Sequence, residues 1–211
     1  MAITTLNNLA INRSDTASAD DRWTATSATA TDFQAVAAGG MGTLIATATA
    51  SDSAALEFTT GIDATYTTYL FSLNDIQPAS AVALHIRFYV GGSLDSSSNY
   101  DYVCRAASTD GSLYLNSAQN GVMIYINYSA MDTDTEDTQF SNVWLSNPAS
   151  TVSYQKIMWQ NHNITSNVGY AEFGCGTLRT SATTATTGIK FYGASGNITS
   201  GTIRMYGLNA T

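Results

Sequence analysis

Residues 81–90 read AVALHIRFYV. Val82, Leu84, Ile86, Phe88 and Val90 alternate with Ala83, His85, Arg87 and Tyr89. Strand side chains point to opposite faces with period 2, so this segment is a strand with one fully apolar face and one mixed face. Such a face must be buried against a second layer. The flanking segments supply that layer as further strands. Upstream lie Leu44 to Thr49, Ala55 to Thr60 and Tyr66 to Asn74, the last alternating Tyr69, Phe71 and Leu73. Asn74 to Pro78 reads as a turn, because Pro fixes φ. Downstream, Gly91-Gly92 closes the strand. Further strands are expected over Tyr100 to Ala107, Gly121 to Asn127, Phe140 to Leu145, Val152 to Gln160, Val168 to Leu178, Gly188 to Gly193 and Gly201 to Leu208. In VSYQKIMWQ, Ile157 and Trp159 oppose Tyr154 and Met158. Gly169, Gly174 and Gly176 mark bulges or close backbone approach. No window carries a 3.6-residue apolar period. Short strands at intervals of about 8–12 residues, separated by Gly, Asn, Asp and Pro turns, specify an all-β fold, a sandwich or jelly roll.

Residues 1–42 differ from the rest. Asn12 to Thr31 is a run of Ser, Thr, Ala and Asp with little to bury except Trp23, and residues 37–42, AAGGMG, form a hinge. This stretch reads as an extended N-terminal arm, residues 1–42, ahead of a β-sandwich over residues 43–211. On its own it cannot offset its ordering entropy, so a partner would have to order it. Its anchors toward that partner are Trp23 and Phe33, helped by Leu6, Leu9 and Ile11.

The 211 residues include 44% hydrophobic and only 11% charged residues. Charged residues typically make up roughly a quarter of a globular chain. Ser and Thr take their place. Such a composition suits a surface committed to other protein surfaces. The formal net charge is −8 with eight Lys plus Arg. Without a basic run, a nucleic-acid partner is not expected. No apolar run approaches the roughly 20 residues that cross a bilayer as a helix. MAITTLNNLAINRSD lacks a basic segment followed by an apolar one, so no signal peptide and no membrane partner are expected, and synthesis is expected in a cytoplasm.

The chemistry-bearing residues are few. Asp132, Asp134 and Glu136 alternate in the loop DTDTED and offer oxygens to a cation. The spacing lacks the EF-hand glycine and terminal glutamate, so a solvated loop is the plainer reading and no metal or cofactor is expected. The glutamates are Glu57, Glu136 and Glu172, and nothing in the sequence pairs two acids as glycoside hydrolysis requires. His85 and His162 read as surface histidines without an oriented nucleophile. Cys104 and Cys175 read as small buried hydrophobes. Whether they are bonded depends on strand adjacency, which sequence leaves open. No GxSxG, HExxH or P-loop is present, so the chain is not expected to be an enzyme. Tyr89, Tyr100, Tyr102, Tyr125, Tyr128 and Tyr154 occupy alternate positions on faces that read as exposed, as at protein interfaces and sugar platforms.

Two segments carry a family resemblance. Residues 188–208, GIKFYGASGNITSGTIRMYGL, look like the closing hairpin of a recurring bacteriophage virion domain, with an apolar-x-Phe strand, a Gly-Asn-Ile turn and SGTIRMYGL. Residues 55–93 resemble its opening, through L-x-F, Y-x-x-Y-x-F, a turn with Pro, a strand ending in Arg-Phe, and Gly-Gly. The stretch NRSDTASADDRWTATSATATDFQA resembles the N-terminal region of phage structural proteins. Such domains are jelly rolls of capsid decoration (cement) proteins and of tail-fibre or spike tips. The resemblance implies a homotrimer on the capsid exterior, made in the host bacterial cytoplasm, with the major capsid protein and itself as partners. The arm would run over neighbouring capsid subunits. The alternatives are a tail-fibre or head-fibre tip that binds host-surface glycan, and a lyase or hydrolase acting on such a glycan.

Overall fold

The structure is a computed structural model that describes residues 22–25, 31–34, 42–134, 137–179 and 183–210. The chain forms two compact units, Met1–Met41 and Gly42–Thr211. In the first, β1 (Arg22–Ala25) pairs antiparallel with β2 (Thr31–Gln34), setting Trp23 opposite Phe33 in register. Leu6, Leu9 and Ile11 lie outside the described residues.

The second unit is all-β, with no helix among the described residues, in two antiparallel sheets. Its strands are β3 (Thr43–Thr49), β4 (Leu56–Phe58), β5 (Tyr66–Pro78), β6 (Leu84–Val90), β7 (Ser93–Leu94), β8 (Tyr100–Ser108) and β9 (Leu113–Gly121). They continue as β10 (Ile124–Tyr125), β11 (Gln139–Ser146), β12 (Gln155–Thr165), β13 (Val168–Leu178), β14 (Thr186–Gly193) and β15 (Ile198–Ala210). The small sheet runs β10-β6-β14-β4, with β7 also on β6. The large sheet runs β3-β15-β5-β11-β12-β13-β8-β9.

The alternation at 81–90 has the expected consequence. Leu84, Ile86 and Phe88 are fully buried and join Ile189 and Phe191 of β14. The same cluster holds Tyr69, Phe71 and Leu73 of β5, Val143 and Leu145 of β11, and Ile157 and Trp159 of β12. Phe71 bridges the sheets, with its ring 5.4 Å from Phe58 and 5.5 Å from Phe191. Each such fully buried ring contributes roughly 1.5–3 kcal/mol.

Several local expectations change. Asn74–Pro78 is not a turn. β5 runs through it past an irregularity at Asp75, whose φ is +54°, and Pro78 pairs at the strand end with Ile198. Residues 113–121 form a strand for which no expectation stands above, while the strand expected at Gly121 to Asn127 shrinks to Ile124–Tyr125. Residues 188–208 are not a hairpin. β14 pairs with β6 and β4 in the small sheet, whereas β15 pairs with β5 and β3 in the large one, so the Gly-Asn-Ile turn passes the chain from sheet to sheet.

Candidate interaction surfaces

Inside the unit, a line of buried polar side chains links the sheets. The Leu84 backbone N–H donates to Asn127 Oδ1 at 3.1 Å, and Asn127 Nδ2 donates to Gln139 Oε1 at 2.9 Å. Gln139 Nε2 donates to Ser141 Oγ at 2.5 Å, which donates to Asn161 Oδ1 at 2.7 Å. Asn161 Nδ2 donates to Glu172 Oε2 at 3.1 Å. The Tyr128 N–H, at 2.9 Å, and the Cys104 thiol, at 3.8 Å, donate to the same oxygen. Glu172 is thus the terminal acceptor. Its Oε1 has no partner among the described residues, and burial raises its carboxyl pKa despite those donors. This carboxyl has no solvent access and ties β8, β12 and the Tyr128 backbone to β13.

Cys104 is buried beside it, its thiol pushed up to about 12 by burial and then by the Glu172 charge. Cys175 is exposed, contrary to its reading as a buried hydrophobe. Their strands are neighbours, but Cys104 is opposite Gly174 and Cys175 is opposite Val103, which puts the two sulfurs on opposite faces. Both thiols are free.

His85 is not a surface histidine. It points away from the core, yet it is only 3% exposed, because the neighbouring strands set Tyr125 and Tyr192 directly beside it. Their ring centroids lie 4.0 Å and 5.4 Å away. Neither imidazole nitrogen has a partner among the described residues. Burial, then Arg87, lowers its pKa to about 4. Around it, Arg87 and Lys190 each lie 5.6 Å from the Tyr192 ring centroid, and Lys190 pairs with Glu57 at 2.9 Å. His162 is exposed, as read from the sequence, and lies on β12.

The acidic loop brings together a different trio from the alternating one. The carboxylates of Asp132, Asp134 and Asp137 approach within 4.8 Å of one another, while Glu136 lies outside the described residues. Asp132 accepts from the Thr133 and Ser166 backbone N–H groups, and these hold its carboxyl below the usual range. Of the tyrosines read as exposed, only Tyr154 is so; Tyr100 and Tyr102 are buried, and Tyr89, Tyr125 and Tyr128 are half-buried. Tyr128 stacks on Tyr114 at 4.4 Å, with Tyr170 beside both.

The outward face of the large sheet is the least ordinary surface. In register across all of its strands run Leu44, Tyr206, Leu70, Trp144, Met158, Cys175, Val103 and Ser117. Met158 is 56% exposed, and the next row adds Phe173 at 58%. Side-chain parity on each strand shows these residues one at a time. Only the register lines them up.

No family model matches this chain, and neither a curated protein nor a solved structure does.

The outward face has a distinct electrostatic character. Arg204 and Arg105 lie on the Phe173 row, and Lys156 lies on the other side of Met158. None of the three forms an ion pair among the described residues. Neither the Met158 row nor the Phe173 row holds a carboxylate. Asp101, on the Lys156 row, is paired with Arg179 at 2.7 Å. A cleft of about 660 Å³ opens over Trp144, Met158, Lys156 and Cys175. The face is thus broad, with Leu44, Val103, Met158 and Phe173 exposed on it and few charges between them.

Proposed function

We propose that this is a bacteriophage virion structural protein: a capsid decoration (cement) protein whose jelly-roll β-sandwich binds the capsid exterior as a homotrimer and stabilises the head. The observation that carries the proposal is the mutual pairing of the two segments that resemble the virion domain. β14 lies between β4 and β6, and β15 lies beside β5, so the opening and closing segments build one shared core. The low-charge outward face of the large sheet fits a protein that works by contact with other protein surfaces. Residues 1–42 act as the arm, with Trp23 and Phe33 as its anchors.

The test adds purified protein to capsids that lack it and measures occupancy and resistance to heat. The wild type decorates and stabilises at a copy number comparable with the major capsid protein. Burying a Trp is worth roughly 1.5–3 kcal/mol, so Trp23→Ala weakens attachment about ten- to a hundredfold. Among the described residues the buried core lies within residues 50–205, and the proposal expects a chain without residues 1–41 to keep its melting temperature but lose attachment. Full decoration by the truncated chain refutes the role of the arm. Absence of the protein from the head refutes the cement reading. A head-fibre or tail-fibre tip that binds host glycan is the second reading, favoured by the Tyr114–Tyr128–Tyr170 group. Glycan binding that Tyr114→Ala removes would select it.

A further inference from the structure

The charge on the outward face of the large sheet opposes that of the molecule. The chain carries a formal −8, with eight Lys plus Arg against sixteen Asp plus Glu. Arg105, Lys156 and Arg204 sit on or beside the exposed apolar rows without an ion-pair partner among the described residues. The remaining surface is therefore more acidic than the total suggests. Two such faces brought together across a two-fold axis would put these three unpaired cations on both sides of one contact with no carboxylate among them free to pair. A face set against a different, acidic part of another copy gains both apolar burial and charge complementarity. Heterologous contacts of that kind close into rings when the rotation between neighbours closes, and otherwise run on as open chains.

We propose that the outward face of the large sheet is a self-association surface that takes a second copy of this chain head to tail. Met158, Phe173 and Trp144 form the apolar centre, and Arg105, Lys156 and Arg204 select the acidic surface of the neighbour. The inference rests on the reading that the protein is a homotrimer, whose ring already requires head-to-tail contacts, and it specifies the face that makes them.

Cys175 gives a probe in the unmodified protein. It stands in register between Met158 and Val103 on the exposed row. Cys104 is buried, and its raised pKa keeps it silent toward alkylation. The maleimide reaction of Cys175 is followed across a dilution series, with native mass spectrometry on the same samples. At a concentration roughly a hundred times the dissociation constant, free faces are scarce, and alkylation is expected to slow about tenfold or more relative to dilute monomer. Raised salt restores much of the rate, because it screens the steering charges. Met158→Lys, an exposed position that leaves the core intact, abolishes homo-oligomers, but when co-expressed with wild type it still enters open mixed oligomers, since it retains its acidic surface.

A wild type that stays monomeric throughout overturns the self-partner reading and this inference together. Oligomers in which Cys175 reacts at the monomer rate overturn the face assignment alone. Failure of Met158→Lys to join wild-type oligomers overturns the head-to-tail geometry. Intact oligomers of Met158→Lys that no longer decorate capsids assign the face to the capsid instead, which overturns the inference and leaves the cement reading standing.

Discussion

Gly174→Ala tests how the interior of the large sheet is packed. Gly174 stands on the inward face of β13, paired in register with Trp159 of β12 and Cys104 of β8. A Cβ built there would meet Trp159 ring atoms Cζ2 at 2.1 Å, Cε2 at 2.3 Å and Cη2 at 2.7 Å. Ordinary carbon contacts lie at roughly 3.5–4 Å, so the indole must retreat by about 1.5 Å. Trp159 is 1% exposed and is part of the shared core, so the retreat disturbs both sheets. Overpacking of this kind costs about 1–3 kcal/mol, and replacing a Gly by Ala returns about 0.4–1 kcal/mol through the unfolded chain. The expected net loss is about 1–2 kcal/mol, a fall in melting temperature of about 2–8 °C for a chain of this size. The assay is thermal and denaturant unfolding of four proteins: wild type, Gly174→Ala, Trp159→Phe and the double variant. Phe lacks the ring that occupies the glycine site, so Gly174→Ala should cost at least about 1 kcal/mol less in that background. Gly176→Ala, whose Cβ would meet the terminal Ile124 Cδ1 at 2.8 Å and the Asp101 carbonyl at 3.2 Å rather than a rigid ring at shorter range, should cost less than Gly174→Ala. A melting temperature for Gly174→Ala within a degree of wild type, or a strictly additive cycle, refutes the argument.

Acid stability follows from His85 and Glu172, with opposite signs. The folded pKa of His85, about 4, lies below its unfolded value of 6.5, so the folded state resists protonation. Its contribution is full above pH 6.5 and is lost as pH falls toward 4, about 3 kcal/mol in all. His85→Phe, read by denaturant unfolding from pH 7 to 4, should flatten that slope. Burial raises the Glu172 pKa, so its protonation in acid favours the folded state, and Glu172→Gln should make the acid loss steeper. Glu172→Ala strands the Tyr128 N–H and the Asn161 amide and should cost about 3 kcal/mol at pH 7. Glu172→Gln keeps an acceptor for both and should cost about 1 kcal/mol, as measured by denaturant midpoint.

The sequence by itself determined which residues alternate. Leu84, Ile86 and Phe88, then Ile157 against Met158, were legible because strand parity is a local property with period 2. The all-β class followed from the same signal, since no helical period competes with it. The strand at Leu113–Gly121 was missed because it lies at a sheet edge, where Leu113 and Leu115 are exposed and polar residues fill the rest. Asn74–Pro78 was misread because Asp75 takes a turn-like φ inside a strand that continues past it.

Only the tertiary structure decided which face of each strand looks inward and what stands beside it. Tyr100, Tyr102 and Cys104 shared a face in the sequence, but nothing local said that the face was buried. His85 has outward parity and is still sealed, because β10 and β14 bring two tyrosine rings beside it. Glu172 becomes the end of a polar line drawn from four separate strands and the Asn127–Tyr128 segment. The outward row through Leu70, Trp144, Met158 and Cys175, buried at Leu70 and exposed at Met158 and Cys175, exists only at one register of the large sheet. Register couples residues far apart in the chain, and a shift of one residue would send each of these side chains to the opposite face.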